Sequence, residues 1–181
     1  MLQELPGSEE YEIIEEGLGG RTTVYQDDAS PFTNGRDYLI PCVLSHYPFD
    51  LLIIMLGTND LKVQFAPYAS SELFALQAFL RDVLNPNLYE GGALPKVLLT
   101  SPIAIGDNYR NSFLYGVFDE NSYQVSKELP RVFEAAAKMF GCEFMDASRY
   151  AEPSPIDSIH MDPENHRKLA EAFAEKIREI L

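Results

Sequence analysis

The sequence predicts an α/β fold, a three-layer α/β/α sandwich around a flavodoxin-like parallel sheet. Three observations carry this reading. Apolar runs closed by a glycine or proline recur, as in "FDLLIIMLG" (49–57) and "PKVLLTSPI" (95–103), and such unbroken runs fit strands buried on both faces of a parallel sheet. Stretches of helical period alternate with them, which implies right-handed crossovers. No linker, repeat or shift of composition divides the 181 residues, so residues 1–181 read as one domain.

The elements follow in order. "MLQELPG" puts Met1, Leu2 and Leu5 on one helical face and stops at Pro6-Gly7, as the last turn of an amphipathic helix would. "YEIIEEG" (11–17) reads as a first strand over 11–16. Residues 18–48 show little periodicity and read as a long connection. A strand over 50–56 comes next, then a helix over 70–84 with Leu73, Leu76, Leu80, Val83 and Leu84 on one face and Ser70 or Ser71 as its cap. A strand over 96–101 leads into a second long connection, 104–118, rich in aromatics. Residues 119–140 read as helical, with Pro130 expected to kink the helix or start a second one. "CEFMDAS" (142–148) reads as the last strand. The final helix, 163–180, has Asp162 as N-cap, Pro163 at its first position and Leu169, Phe173, Ile177 and Ile180 inward.

Charge narrows the partners. With 28 acidic against 14 basic residues, the net charge is −14, which argues against a nucleic-acid partner. Cys42 and Cys142 lie far apart with no metal-ligand spacing and read as free thiols. No run reaches membrane-spanning length, and no basic segment followed by an apolar one opens the chain. The default expectation is a cytoplasmic protein that does not engage a membrane, subject to any signal peptide ahead of Met1.

Three short motifs could carry chemistry, and each follows the carboxyl end of an expected strand, where open parallel sheets bind ligands. "GLGGRTT" (17–23) can aim backbone N–H groups at an anion, but lacks the ending of a nucleotide phosphate loop. "GTND" (57–60) offers the neutral amide of Asn59 as an oxyanion donor. "DSIH" (157–160) sets Asp157 three residues before His160. Each alone is weak: a turn, a glycine-rich loop and a structural Asp–His pair are the ordinary alternatives. Adding His166 or Asp162 as ligands matches no standard zinc spacing, and no metal or cofactor is expected.

Taken together, in this order and these places, the motifs resemble the SGNH hydrolases, or GDSL-type esterases. "EEGLGGRTT" looks like that family's second block, "MLGTND" its third and "DSIHMDPENH" its fifth; "YEIIEEGL…RTT" with "LLIIMLGTND" is most similar to the arylesterase and acyltransferase branch. The resemblance covers essentially the whole chain. It implies a Ser–His–Asp ester-cleaving site, with His160 as general base, Asp157 as its orienting acid, and Gly20 (backbone N–H) and Asn59 (side chain) as oxyanion donors.

The family's first block, Gly-Asp-Ser, is missing: no such tripeptide occurs in the chain. Ser158 lies inside the Asp–His turn, Ser101 precedes a proline, and Ser8 lacks the flanking pattern, so none replaces it. The expectation is that Met1 is an internal residue of a longer protein, that the strand bearing the serine precedes it, and that the sheet shows an exposed edge in that strand's place. The leading reading is a carboxylic-ester hydrolase or acyltransferase acting on small esters, inactive as residues 1–181. The alternative is a non-catalytic module of the same fold that binds a small acyl or carbohydrate ligand. A flavodoxin-like nucleotide binder is disfavoured by the absent phosphate loop. Tyr109, Phe113, Leu114, Tyr115 and Phe118 are expected to wall the cleft or join subunits, making a homo-oligomer the expected state.

Overall fold

The protein is described by a computed structural model covering residues 1–5 and 10–181. Three parallel strands, β1 (Leu51–Ile54), β2 (Lys96–Ser101) and β3 (Glu143–Asp146), lie in the order β1-β2-β3. Leu51 pairs with Lys96 and Ile54 with Leu99; Leu98 pairs with Glu143 and Ser101 with Asp146. Four helices flank the sheet: α1 (Gly35–His46), α2 (Ala69–Val83), α3 (Glu120–Phe140) and α4 (Pro163–Ile180).

Successive strand residues point to opposite faces, and the two cores divide accordingly. Leu52, Ile54, Val97, Leu99 and Phe144 pack with α1, α2 and α3 around the fully buried Leu76, Leu80, Leu129 and Phe133. Leu51, Ile53, Leu98 and Met145 face the other way, onto Leu169, Ala172, Phe173 and Ile180 of α4. This is the three-layer α/β/α arrangement expected. Three helices begin at side-chain caps: Asn34 accepts from the N–H groups of Arg36 and Asp37, Asp119 from Ser122, and Asp162 from Asn165. α2 starts after Tyr68 with no side-chain cap, and Ser70 and Ser71, the expected caps, lie inside it. Among the described residues no helix is long and apolar enough to cross a membrane.

Several expectations need correction. Residues 11–18 form no strand. A strand needs a hydrogen-bonding edge, and no described strand pairs with the outer side of β1. Leu51, Leu52 and Ile53 of β1 are only half-buried, and β3 is no more covered, whereas Val97 to Ser101 of the central β2 are buried, so among the described residues both outer strands are open edges. Within 18–48 the structure has α1, a helix the pattern did not announce. Pro130 neither ends nor divides α3, which runs unbroken for 21 residues. The opening segment is a single 3-10 turn, Leu2–Glu4, rather than an α-helical end, and Pro6, Gly7 and Ser8 lie outside the described residues. In the connection after β2, Tyr109 and Phe118 are core residues, while Phe113 and Tyr115 are 75% and 55% exposed.

Candidate active site

Because the strands are parallel, the connections after β1, β2 and β3 all leave the sheet at one edge, its carboxyl edge. After β1 the chain turns at Gly57, where φ is +117° and a Cβ would lie 3.2 Å from the Phe133 ring. A side chain is disfavoured there on both counts. The 3-10 turn Asn59–Leu61 follows.

Beside it runs the 18–23 loop, turned by Gly20 at φ +82°. The fully buried Thr22 and Thr23 anchor this loop to the start of α1: Thr22 N donates to Thr33 O at 2.9 Å, and Gly35 N and Arg36 N donate to the Thr22 and Thr23 carbonyls. Two bonds tie the loops together. Thr23 N donates to Asp60 Oδ1 at 2.8 Å, and Asn59 Nδ2 donates to Arg21 O at 3.2 Å. The second N–H of Asn59 Nδ2 has no acceptor among the described residues. Gly20 and Asn59 therefore sit on one braced double loop. Asp60, which supplies the brace, was not singled out by the sequence.

Asp157 and His160 meet at the same edge of the sheet, between β3 and α4. His160 Nδ1 lies 2.7 Å from Asp157 Oδ2, while Asp157 Oδ1 accepts from Ile159 N and His160 N, both at 2.9 Å. Burial works to raise the Asp157 carboxyl, but those backbone and imidazole hydrogen bonds outweigh it and hold the group below its usual value. The turn requires Ser158 at φ +63°, a costly conformation for a residue with a Cβ. It is held by Ser158 N donating to Ser154 O and Gly106 N donating to Ser158 O, both at 2.8 Å. The imidazole is 72% exposed.

A carboxylate on Nδ1 keeps the proton there and leaves Nε2 free to act as a base. Among the described residues no hydrogen bond joins the His160 pair to the Asn59 loop. The connection after β2 spans them instead: Pro102 packs near Gly57, and Gly106 packs against Pro153 and Ser158. A depression of about 490 Å³ lined by Tyr47, Phe49, Asp50 and Lys96 lies at the opposite, amino edge of the sheet and has no part in this arrangement.

A second cluster, Glu16, Cys42 and His46, brings three potential metal ligands together beside α1. Its signal in the sequence was the Cys42-x-x-x-His46 spacing, one helical turn.

Comparison with sequence-family models and with curated proteins finds no match. Comparison of folds finds several. The inhibitor-bound aryl esterase of M. smegmatis is 36% identical, with a TM-score of 0.87, over 95% of this chain and 80% of that one. A carbohydrate acetylesterase from Sinorhizobium meliloti is 34% identical, with a TM-score of 0.88, over 96% and 80%. A lipase/acylhydrolase from Enterococcus faecalis shares the fold at 18% identity and a TM-score of 0.62, over 88% and 72%. With two relatives above a third identity along nearly its whole length, the chain belongs to the SGNH hydrolases, the GDSL-type esterase family.

Proposed function

We propose that this chain carries the base and oxyanion half of a serine carboxylic-ester hydrolase acting on small esters, and that it lacks the nucleophilic serine. The observation that carries the reading is the Asp157–His160 pair, with Nδ1 bonded to a carboxylate whose other oxygen is held by two backbone N–H groups. Such a carboxylate cannot swing away, so the ring keeps one tautomer and one orientation.

The chemistry follows from those roles. A serine hydroxyl delivered to His160 Nε2 loses its proton as its oxygen attacks the ester carbonyl. The tetrahedral oxyanion is met by Gly20 N–H and the free N–H of Asn59. His160 then protonates the leaving alcohol, and water or a second alcohol takes the acyl group by the same route in reverse. Asp157 stays ionised and stabilises the imidazolium throughout. The names of the relatives support small esters, aryl or carbohydrate acetates, as the substrate class. The second reading is a non-catalytic module of the same fold that keeps the cleft only to bind such groups.

One comparison separates them. Residues 1–181 are assayed on an aryl acetate beside a longer form with a Gly-Asp-Ser strand–turn–helix ahead of Met1. The proposal expects negligible turnover from the first, enzymatic turnover from the second, and its loss in the longer form with His160→Ala. An ordinary rate of ~1–10³ s⁻¹ from residues 1–181 would show that one of its own serines is the nucleophile. A longer form that folds, binds acetyl esters and does not cleave them would favour the binding module.

A further inference from the structure

The cluster beside α1 lies outside the proposed ester site, and its chemistry is different. Residues four apart on a helix share a face, so Cys42 and His46 stand together on α1, near the end that leads into β1 and away from the carboxyl edge. The 11–18 segment passes alongside and supplies Glu16. Its Oε1 lies 2.6 Å from His46 Nε2, and its Oε2 accepts from Tyr38 OH at 2.6 Å. One donor atom each from Glu16, Cys42 and His46 lies within 4.8 Å of the other two, and all three residues are half-buried.

We propose that Glu16, Cys42 and His46 form a mononuclear site for a borderline-soft divalent cation of the zinc type. Zinc bonds of ~2.0–2.3 Å in a tetrahedron set donor atoms about 3.3–3.8 Å apart. All three donors lie within 4.8 Å of one another, so an ion entering among them would widen the 2.6 Å Glu16–His46 contact by under an ångström and draw the Cys42 sulfur to its bonding distance. A thiolate with an imidazole selects zinc-like cations over magnesium or calcium, which take oxygen ligands. Thiolate and carboxylate together neutralise the ion, and the half-exposed position leaves the fourth place to water. Tyr38 holds the non-ligating oxygen of Glu16, the outer-shell contact that orients a metal-binding carboxylate.

One neighbour opposes the ion: the Arg21 guanidinium, stacked 4.3 Å over the Tyr38 ring. Its hydrogen bond to Glu16 goes to the backbone oxygen, at 2.6 Å, so it takes no carboxylate oxygen, although its charge reaches both the Glu16 carboxylate and the Cys42 thiol. That same bond gives the site a consequence. Glu16 holds Arg21, and the Arg21 carbonyl holds Asn59, so a bound ion would fasten the segment leading into Gly20.

The test is titration of chelator-treated protein with zinc chloride by calorimetry, repeated with cobalt and followed by absorption. One equivalent should bind, and the cobalt form should show a thiolate-to-metal charge-transfer band. Cys42→Ser should abolish that band, whereas Cys142→Ser should keep it. Cys42→Ser and His46→Gln should each weaken zinc at least ~10-fold, and Tyr38→Phe, which leaves every ligand in place, by ~10–100-fold. Absence of binding by the unmodified protein would overturn the proposal. So would zinc affinity unchanged in both ligand variants, or a cobalt complex with no thiolate band. Because the band is read on the unmodified protein, a variant that fails to fold does not rescue the idea.

Discussion

Replacing Glu72 by glutamine should make this protein more stable at neutral pH, although it removes a fully buried group from the core. Asp60 and Glu72 are both 0% exposed. Asp60 Oδ1 is satisfied by Thr23 N, but its Oδ2 and both Glu72 oxygens meet no donor among the described residues. The two carboxyls satisfy each other only by sharing a proton. Burial first, and the Asp60 charge second, push Glu72 up to about 9 from its usual 4.5; burial likewise raises Asp60. In the unfolded chain Glu72 ionises above 4.5, whereas in the folded protein it keeps its proton until about pH 9. Rising pH across that window therefore favours the unfolded state. About 2.5 pH units separate 4.5 from neutrality, and each is worth ~1.4 kcal/mol, so the carboxyl costs roughly 3–4 kcal/mol at pH 7, most of it accruing above pH 5. Glutamine keeps the shape, donates its amide N–H to Asp60 and does not titrate. Urea unfolding at intervals between pH 5 and 8.5 reads the effect. Glu72→Gln should match the native protein near pH 5 and exceed it by about 2–3 kcal/mol at pH 7, on a flatter slope. A native stability that does not fall between pH 5 and 8, or a variant less stable at pH 8, would refute the shared proton.

Gly35→Ala should cost ~1–3 kcal/mol, read by urea unfolding, because a Cβ there would lie 2.5 Å from the Thr22 carbonyl oxygen, which anchors the 18–23 loop to α1. Phe133→Ala should cost ~3–5 kcal/mol, since this ring is fully buried at the centre of the larger core and covers Gly57. Asp157→Asn should destabilise the protein at pH 7 and converge with it in acid. The Asp157 carboxyl is held below its usual 3.8, so its contribution is present above that value and lost as pH falls through the lower folded one; in a serine-bearing form the same change should cut kcat by ~10⁴ through the wrong tautomer.

What the sequence revealed and concealed follows from how local each signal was. The strand at 96–101 declared itself because all but its first residue are buried, and that at 51–54 because its four residues are all apolar although three are only half-buried, which leaves no polar alternation to confuse the reading. α4 declared itself through Asp162 and Pro163. α1 stayed hidden because its helical residues bury only Gly35, Leu39 and Val43, a narrow stripe, and carry Pro41 on the exposed side; the Asn34 cap was the available clue. "YEIIEEG" has strand-like residues, but propensity without a paired edge makes no strand. In α3, the buried face of Leu129, Val132, Phe133, Ala136 and Ala137 outweighs the one hydrogen bond that Pro130 removes. The Asp157–His160 contact was legible because it closes within one turn of chain. The Thr23–Asp60 brace spans 37 residues and the Glu16–His46 contact 30, and pairings so distant leave no periodic trace.

The central claim is that Gly20, Asn59 and His160 converge on one reacting carbonyl. The most direct measurement is a crystal structure of the serine-bearing form after labelling with a phosphonate, whose phosphoryl oxygen stands where an oxyanion would form. The account predicts that this oxygen lies ~2.7–3.1 Å from both Gly20 N and Asn59 Nδ2, with His160 Nε2 in hydrogen-bond reach of the serine oxygen and Asp157 still on Nδ1. An adduct whose phosphoryl oxygen meets neither donor, or a labelled serine out of reach of His160, would contradict it.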